Sequence, residues 1–170
     1  RYTQHDNFRF IKGDVRDLNL LSKLVSSHDV VIPLAALVGF PLCERDPRAA
    51  QEINHDVNSW IANNKSNDQL VIYPCTNSGY GVSVDGNVCT EESPLNPLSL
   101  YGKTKVGAET DYREVNNHIT FRLATVFGPG SRMRTDLLVN NFVLKALKDR
   151  VLVLYECEFM RNYVHLADVC

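Results

Sequence analysis

Val30-Val31-Ile32-Pro33-Leu34-Ala35-Ala36 is an unbroken apolar run of strand length, the pattern of a strand covered on both faces. Upstream of it, Phe8-Arg9-Phe10-Ile11 alternates large apolar with polar residues and runs into Gly13-Asp14, as a short strand ending in a turn does. Between the two, Asp17 stands as a helix N-cap, with Leu18, Leu21, Leu24 and Val25 recurring at helical spacing behind it. A strand, a helix and a buried strand make one βαβ unit. Downstream the alternation continues. Residues 47–64 carry Ala50, Ile53, Val57, Trp60 and Ile61 on one helical stripe, and Leu70-Val71-Ile72-Tyr73 is another short buried strand. Residues 101–115 then predict a helix and residues 119–126 a strand. This order predicts an α/β fold with a Rossmann-like, doubly wound parallel sheet. After Pro129 a new pattern starts, with Leu137, Leu138, Phe142, Val143 and Leu147 along a helix and a strand-like Val151-Leu152-Val153-Leu154.

The 170 residues suffice for a domain with a real core, and the apolar (44%) and charged (22%) shares are ordinary for a globular chain. A net charge of -2 with interspersed signs offers no basic field, so neither nucleic acid nor anionic lipid is expected as a partner. No stretch approaches the roughly 20 apolar residues that cross a bilayer, and residues 1–10 lack the apolar segment of a signal peptide. The five cysteines are odd in number, without C-x-x-C spacing or a close histidine pattern, which argues against a disulfide framework and against a metal site. The expectation is a soluble, cytoplasmic protein.

Tyr101 and Lys105 lie four apart near the start of a predicted helix, so their side chains project from one face. An ammonium beside a phenol favours the phenolate, bringing the tyrosine towards the working pH as an acid/base for a hydroxyl proton. Two exposed helix residues four apart would look the same, so the pair needs company. It comes from Thr76-Asn77-Ser78-Gly79-Tyr80-Gly81, just beyond a buried strand, where hydroxyl groups face the crevice at the strand's carboxyl end. Gly79, Gly81, Gly86, Pro94 and Pro97 mark residues 74–99 as one long irregular excursion, the kind of segment that commonly carries function.

The ordered set Gly13-Asp14-x-Arg16-Asp17, Leu34-Ala35-Ala36, Asn54, Thr76-x-x-x-Tyr80-Gly81, Glu91-Glu92-x-Pro94, Tyr101-x-x-x-Lys105, Arg122-x-x-x-x-Phe127-Gly128-Pro129 and Arg161-x-Tyr163-Val164-His165-x-x-Asp168 resembles the NAD-dependent epimerase/dehydratase family, the nucleotide-sugar-modifying branch of the extended short-chain dehydrogenases. The resemblance implies a catalytic set of Thr76, Tyr101 and Lys105. It implies cofactor contacts from Asp14, at the adenine, from Val15, from Leu34, Ala35 and Ala36, and from Tyr101 and Lys105. It implies substrate contacts from Asn77, Ser78, Arg132, Asn140 and Arg161, the last at the nucleotide diphosphate. It also implies NAD as cofactor, with NADP not distinguished, a nucleotide-sugar substrate, and a homodimer formed through helices near 50–63 and 101–115. Residues 1–128 would be a partial NAD-binding domain, and 129–170 the start of the nucleotide-sugar-binding region.

Departures from the family pattern narrow the chemistry. In the sugar 4,6-dehydratases the two positions after the catalytic threonine are Asp and Glu, and here they are Asn77 and Ser78, which cannot act as that carboxylate pair. A 3,5-epimerase would place a cysteine in this loop, whereas Cys75 precedes Thr76 and should point the other way along an extended strand, into the core. The expected reaction is therefore an epimerisation, in which NAD transiently oxidises a sugar hydroxyl to a ketone and hydride returns. Alternatives are a dehydratase or reductase of the same family, or a noncatalytic binding protein. The family's amino-terminal G-x-x-G-x-x-G loop does not precede Phe8, and the substrate lobe stops at Cys170. On that basis the chain is expected to be a fragment truncated at both ends that alone binds NAD weakly and turns over little.

Overall fold

The computed structural model describes residues 5–82 and 88–170. Gly86 of the long excursion lies outside the described residues. Two compact units divide the chain, residues 1–121 and residues 122–170.

In the first unit the Asp17 carboxylate accepts hydrogen bonds from the Asn19 and Leu20 amides and caps α1 (Leu18–Val25), as the sequence predicts. Strand β1 is only Val30–Val31, paired in parallel with the start of β2 (Leu70–Thr76). The apolar run continues beyond Val31 without ladder partners among the described residues, and Ile32 and Leu34 are exposed. Phe8–Ile11 likewise forms no strand, and Phe10 is exposed: apolar content does not make a strand where no neighbour takes its backbone groups. The three-stranded sheet is ordered β1-β2-β3, with β3 spanning His118–Leu123.

Strand β2 buries Val71, Tyr73 and Cys75 on one face, the period of two expected of a pleated strand. That face packs with Ala108 and Tyr112 of α5 (Leu100–Arg113) and with Val57, Ile61 and Ala62 in one core cluster. Cys75 is thus a core residue, as its alternation with Thr76 predicts. Pro74 lies beyond the residues that β1 reaches, so its missing N–H removes nothing from that ladder.

Residues 47–64 are helical throughout, but not regular. A short α2 (Phe40–Arg45) precedes α3 (Pro47–Gln51), a π-helical turn covers Glu52–Asp56, and α4 (Val57–Asn64) completes the run. The wide turn carries Asn54, which is wholly buried and fully employed. Its Oδ1 accepts from the Leu37 amide at 2.8 Å, and its Nδ2 donates to the Leu37 carbonyl at 3.0 Å and to Thr104 Oγ1 at 3.3 Å. One side chain thereby ties the segment after β1 to α5. Asn58 extends the link: it donates to the Asn54 carbonyl at 3.0 Å and accepts from the Tyr112 hydroxyl at 3.0 Å. Helix α5 approaches this turn closely because it presents Gly107, where a Cβ would stand 2.6 Å from the His55 ring.

In the second unit β4 (Thr125–Phe127) pairs in parallel with β5 (Tyr163–His165), in register Thr125 to Tyr163. The predicted strand over 119–126 is therefore two strands with a break at Ala124. Helix α6 (Leu138–Lys148) forms as predicted and α7 (Leu166–Val169) follows β5. Val151–Leu154 is not a strand. All four side chains are exposed, and the segment opens at Arg150 with φ at 57°.

Asn54→Ala would leave the Leu37 amide and carbonyl without their partner, and is expected to cost about 2–3 kcal/mol of stability, against about 1 kcal/mol for loss of the Asp17 cap. Urea unfolding of the two variants beside the unsubstituted chain measures the difference.

Candidate active site

The site is assembled at the carboxyl end of β2 and the first turns of α5. Ser99 caps α5, its hydroxyl accepting from the Gly102 amide at 3.1 Å, which fixes Tyr101 in the first helical turn. Lys105, one turn on, is 3% exposed, and its Nζ lies 4.1 Å from the centre of the Tyr73 ring. The face of an aromatic ring is negative, so this placement attracts the ammonium. The Tyr73 hydroxyl donates to the Lys105 carbonyl at 3.2 Å, and the Cys75 thiol approaches the same oxygen at 3.6 Å.

Burial sets the protonation of this cluster. It pushes Lys105 down to about 8, so the side chain is an ammonium at neutral pH and loses its proton a short way above it. It pushes the Cys75 thiol up to about 12, which keeps that group protonated. Tyr73 and Tyr112 are raised well above the ordinary phenol range by the same cause. Glu109, four residues beyond Lys105 and also buried, is paired with Arg113 at 3.1 Å. Thr104 donates to the Tyr101 carbonyl at 3.0 Å while accepting from Asn54, so the tyrosine's backbone is fixed by the chain that holds Leu37.

Thr76 ends β2 and is 7% exposed. Its Oγ accepts from the Ser78 amide at 3.2 Å and caps a 3-10 turn over Asn77–Tyr80, leaving its O–H as a donor. Asn77 is half-buried and Ser78 exposed on that turn. Gly81 closes it at φ 74°, where a Cβ would collide with the Asn96 carbonyl. On the segment after β1, Leu34 and Ala35 are exposed and Ala36 half-buried. Arg16 holds the exposed Asp14 carboxyl down at about 2 through paired hydrogen bonds of 3.0 and 2.7 Å, and Arg16 also reaches Glu52 at 3.0 Å. Val15 packs against the core rather than standing free.

In the second unit Arg132 and Arg161 are exposed. Asn140 is buried, and its amide is occupied by backbone: it accepts from the Gly128 amide at 3.2 Å and donates to the Arg134 carbonyl at 3.0 Å. It holds the loop that carries Arg132 and Arg134. A groove of about 490 Å³ lies at the amino ends of β1 and β2, the opposite end from Thr76, and is lined by residues such as Ser27, Asp29 and Gln69. Its position sets it apart from the Tyr101–Lys105 chemistry.

The model of the NAD dependent epimerase/dehydratase family matches residues 1–170. The chain belongs to that family. It is similar to the low-salt glycan biosynthesis protein Agl12 of Haloferax volcanii, 28% identical over 99% of this chain and 56% of that protein. Among solved structures it is similar to the UDP-glucuronic acid 4-epimerase of Bacillus cereus, bound to UDP-glucuronic acid and NAD. The TM-score is 0.82 at 25% identity, over 99% of this chain and 55% of that one. It is also similar to DesIV, a dTDP-glucose 4,6-dehydratase of Streptomyces venezuelae with NAD bound, at TM-score 0.82 and 25% identity over 98% and 53% of the two chains. The chain thus spans about half the length of the relatives it matches. These structures identify the fold as the Rossmann-like NAD-binding region of the epimerase/dehydratase family.

Among the described residues no group of histidine, cysteine and carboxylate side chains could hold a metal, and no helix is long and apolar enough to cross a membrane. The sequence motifs of this epimerase/dehydratase chain do not single out Tyr73, Asn58 or Thr104, although the first two have a signal. Tyr73 alternates with Val71 and Cys75, while Asn54 and Asn58 are polar residues four apart on an otherwise apolar stripe.

A buried ammonium costs stability. Lowering Lys105 from 10.5 to about 8 corresponds to about 3 kcal/mol, imposed in full below pH 8, where folded and unfolded states are both protonated. As pH rises from 8 towards 10.5 the folded state releases its proton first and the penalty fades. Lys105→Met is therefore expected to raise stability at pH 7 by about 1–3 kcal/mol, with the gain shrinking through that window. Unfolding curves at neutral and alkaline pH measure it.

Proposed function

We propose that this protein is an NAD-dependent nucleotide-sugar epimerase in which Tyr101 is the acid/base, Lys105 its supporting cation and Thr76 the hydroxyl partner of the sugar oxygen. The observation that carries the reading is the placement of Lys105. The burial of an ammonium against stability, one helical turn from Tyr101 and beside the strand that ends in Thr76, has a use in proton transfer.

The residues on the cofactor side fit a dinucleotide. Asp14 is an ionised acceptor, suited to an adenine amino group. Val15, against the core, supports that loop, and Ala35 and Ala36 present small side chains and backbone, beside the exposed Leu34, on a segment that Asn54 fixes at Leu37. NAD, when bound there, supplies a hydride acceptor that can give the hydride back. Tyr101, as phenolate, takes the sugar hydroxyl proton while Thr76 donates a hydrogen bond to the same oxygen, and on return of hydride Tyr101 gives the proton back. Lys105 favours the phenolate by its charge. Asn77 and Ser78, on the turn that Thr76 caps, are assigned to the sugar. Arg161 supplies forked donors for the nucleotide diphosphate, and Arg132, on the loop that Asn140 holds, is a further contact for the nucleotide sugar.

Dehydration is the less favoured reaction because Asn77 and Ser78 bring no ionisable acid and base to follow the oxidation. A nucleotide-sugar-modifying role is common to the epimerase and dehydratase relatives alike.

With the full-length protein and a panel of nucleotide sugars, absorbance of bound reduced nicotinamide is expected to rise on adding the correct sugar. Tyr101→Phe should lower the rate by about 10²–10⁴-fold. The rate of the unsubstituted enzyme should fall above pH about 8 as Lys105 loses its proton. Absence of reduction with every sugar, or a Tyr101→Phe variant as fast as the unsubstituted enzyme, would overturn the reading.

A further inference from the structure

Tyr73 touches Lys105 at both ends. Its ring face lies 4.1 Å from Nζ, and its hydroxyl donates to the Lys105 backbone carbonyl at 3.2 Å, while the ring itself has no exposure. Tyr73 is held in turn. It lies midway along β2, and its ring packs against Tyr112 at a centroid distance of 5.0 Å, with Tyr112 bonded to Asn58. A lysine has four rotatable bonds, and in a buried setting its ammonium goes wherever charge is best compensated. Here that place is the face of a neutral ring whose phenol burial keeps protonated.

We propose that Tyr73 is a positioning residue for the acid–base pair, its hydroxyl fixing the Lys105 backbone and its ring face fixing the Lys105 ammonium and helping it keep its proton. The proposal rests on the reading of Lys105 as the support of Tyr101, and adds a residue two positions before Cys75 that does not itself touch substrate. The titratable groups around the Tyr73 ring are Cys75 from β2 and Tyr101, Glu109 and Tyr112 from α5, and of these Cys75 also acts on the Lys105 ammonium. Cys75 and Tyr112 are held protonated by burial, and Glu109, paired with Arg113, also accepts a hydrogen bond from the Cys75 thiol. From α4 the partner of the Tyr112 hydroxyl is the uncharged Asn58. Among these, the Tyr73 ring is the group in face contact with Nζ.

The test is a lysine-carbon NMR titration of the protein, with the Lys105 signal assigned by its loss in Lys105→Met. Tyr73→Phe keeps the ring and should leave the Lys105 titration within a few tenths of a pH unit, since only the hydroxyl is removed. Mono-, di- and trifluorophenylalanine at position 73 withdraw charge from the ring at nearly constant volume, so the core stays filled. The Lys105 midpoint should fall stepwise along that series, by about one pH unit in all, because a desolvated cation–ring attraction is worth about that much. Tyr73→Leu should show the same fall where it folds. The alkaline limb of the full-length enzyme's pH–rate profile should move down in step. A midpoint unchanged across the fluorinated series, or one that Tyr73→Phe alone shifts by the full amount, overturns the proposal. A midpoint that follows the series in a protein that turns over no nucleotide sugar supports the Tyr73–Lys105 coupling and counts against the catalytic reading of the site.

Discussion

The ammonium of Lys105, buried between α5 and β2, is the constraint around which the first unit is organised. A charge removed from water must be compensated, and here the face of the Tyr73 ring does so while other contacts hold the lysine's backbone and its helix in place. The Tyr73 ring lies against Nζ, Tyr73 and Cys75 address the lysine's carbonyl, and Glu109 answers to Arg113 one turn further on. These side chains alternate along β2 or recur at one-turn spacing along α5, so together they favour one register of strand against helix. That register puts Tyr101 in the first turn of α5 and Thr76 at the end of β2. The local chemistry and the packing of the sheet are one problem with one solution.

A second tie carries the arrangement to the other side of the sheet's carboxyl edge. Asn54, on a π-helical turn, grips both backbone groups of Leu37 and reaches Thr104, whose hydroxyl bonds the carbonyl of Tyr101. The segment after β1 and the proposed acid/base are therefore joined through two side chains. Wide helical turns of this kind recur at functional sites, and here the reason is mechanical: the turn brings a polar side chain inward at a point where a regular apolar stripe would carry none.

The sequence makes the α/β alternation legible because α1 and α6 carry a clear helical period, β2 opens on an apolar run of strand length, and α1 and α5 each start at a capping side chain. It misled where hydrophobicity was taken for pairing. Phe8–Ile11 and Val151–Leu154 are apolar enough for strands, yet have no ladder among the described residues, and β1 keeps only the two residues that β2 reaches. Strand formation depends on a neighbour, which a local pattern does not encode. The same distinction divides the candidate site. Tyr101, Lys105 and Thr76 were legible as residue types at set spacings, and Cys75 as core from its alternation. The parts played by Tyr73, Asn58 and Thr104 arise from contacts across elements far apart in the chain. Asn140, expected on the nucleotide-sugar side, bonds to the backbone of its own loop, a tie that its residue type does not announce.

The most direct test of the central claim, that this geometry serves a reversible oxidation in which hydride returns to the sugar, is product analysis after turnover in deuterated water. The expected product is a nucleotide sugar of unchanged mass, inverted at one carbon, with no solvent deuterium on that carbon, because hydride is kept within the active site and the Tyr101 proton goes only to oxygen. A product lighter by one water, or one carrying carbon-bound deuterium at the altered centre, would contradict it.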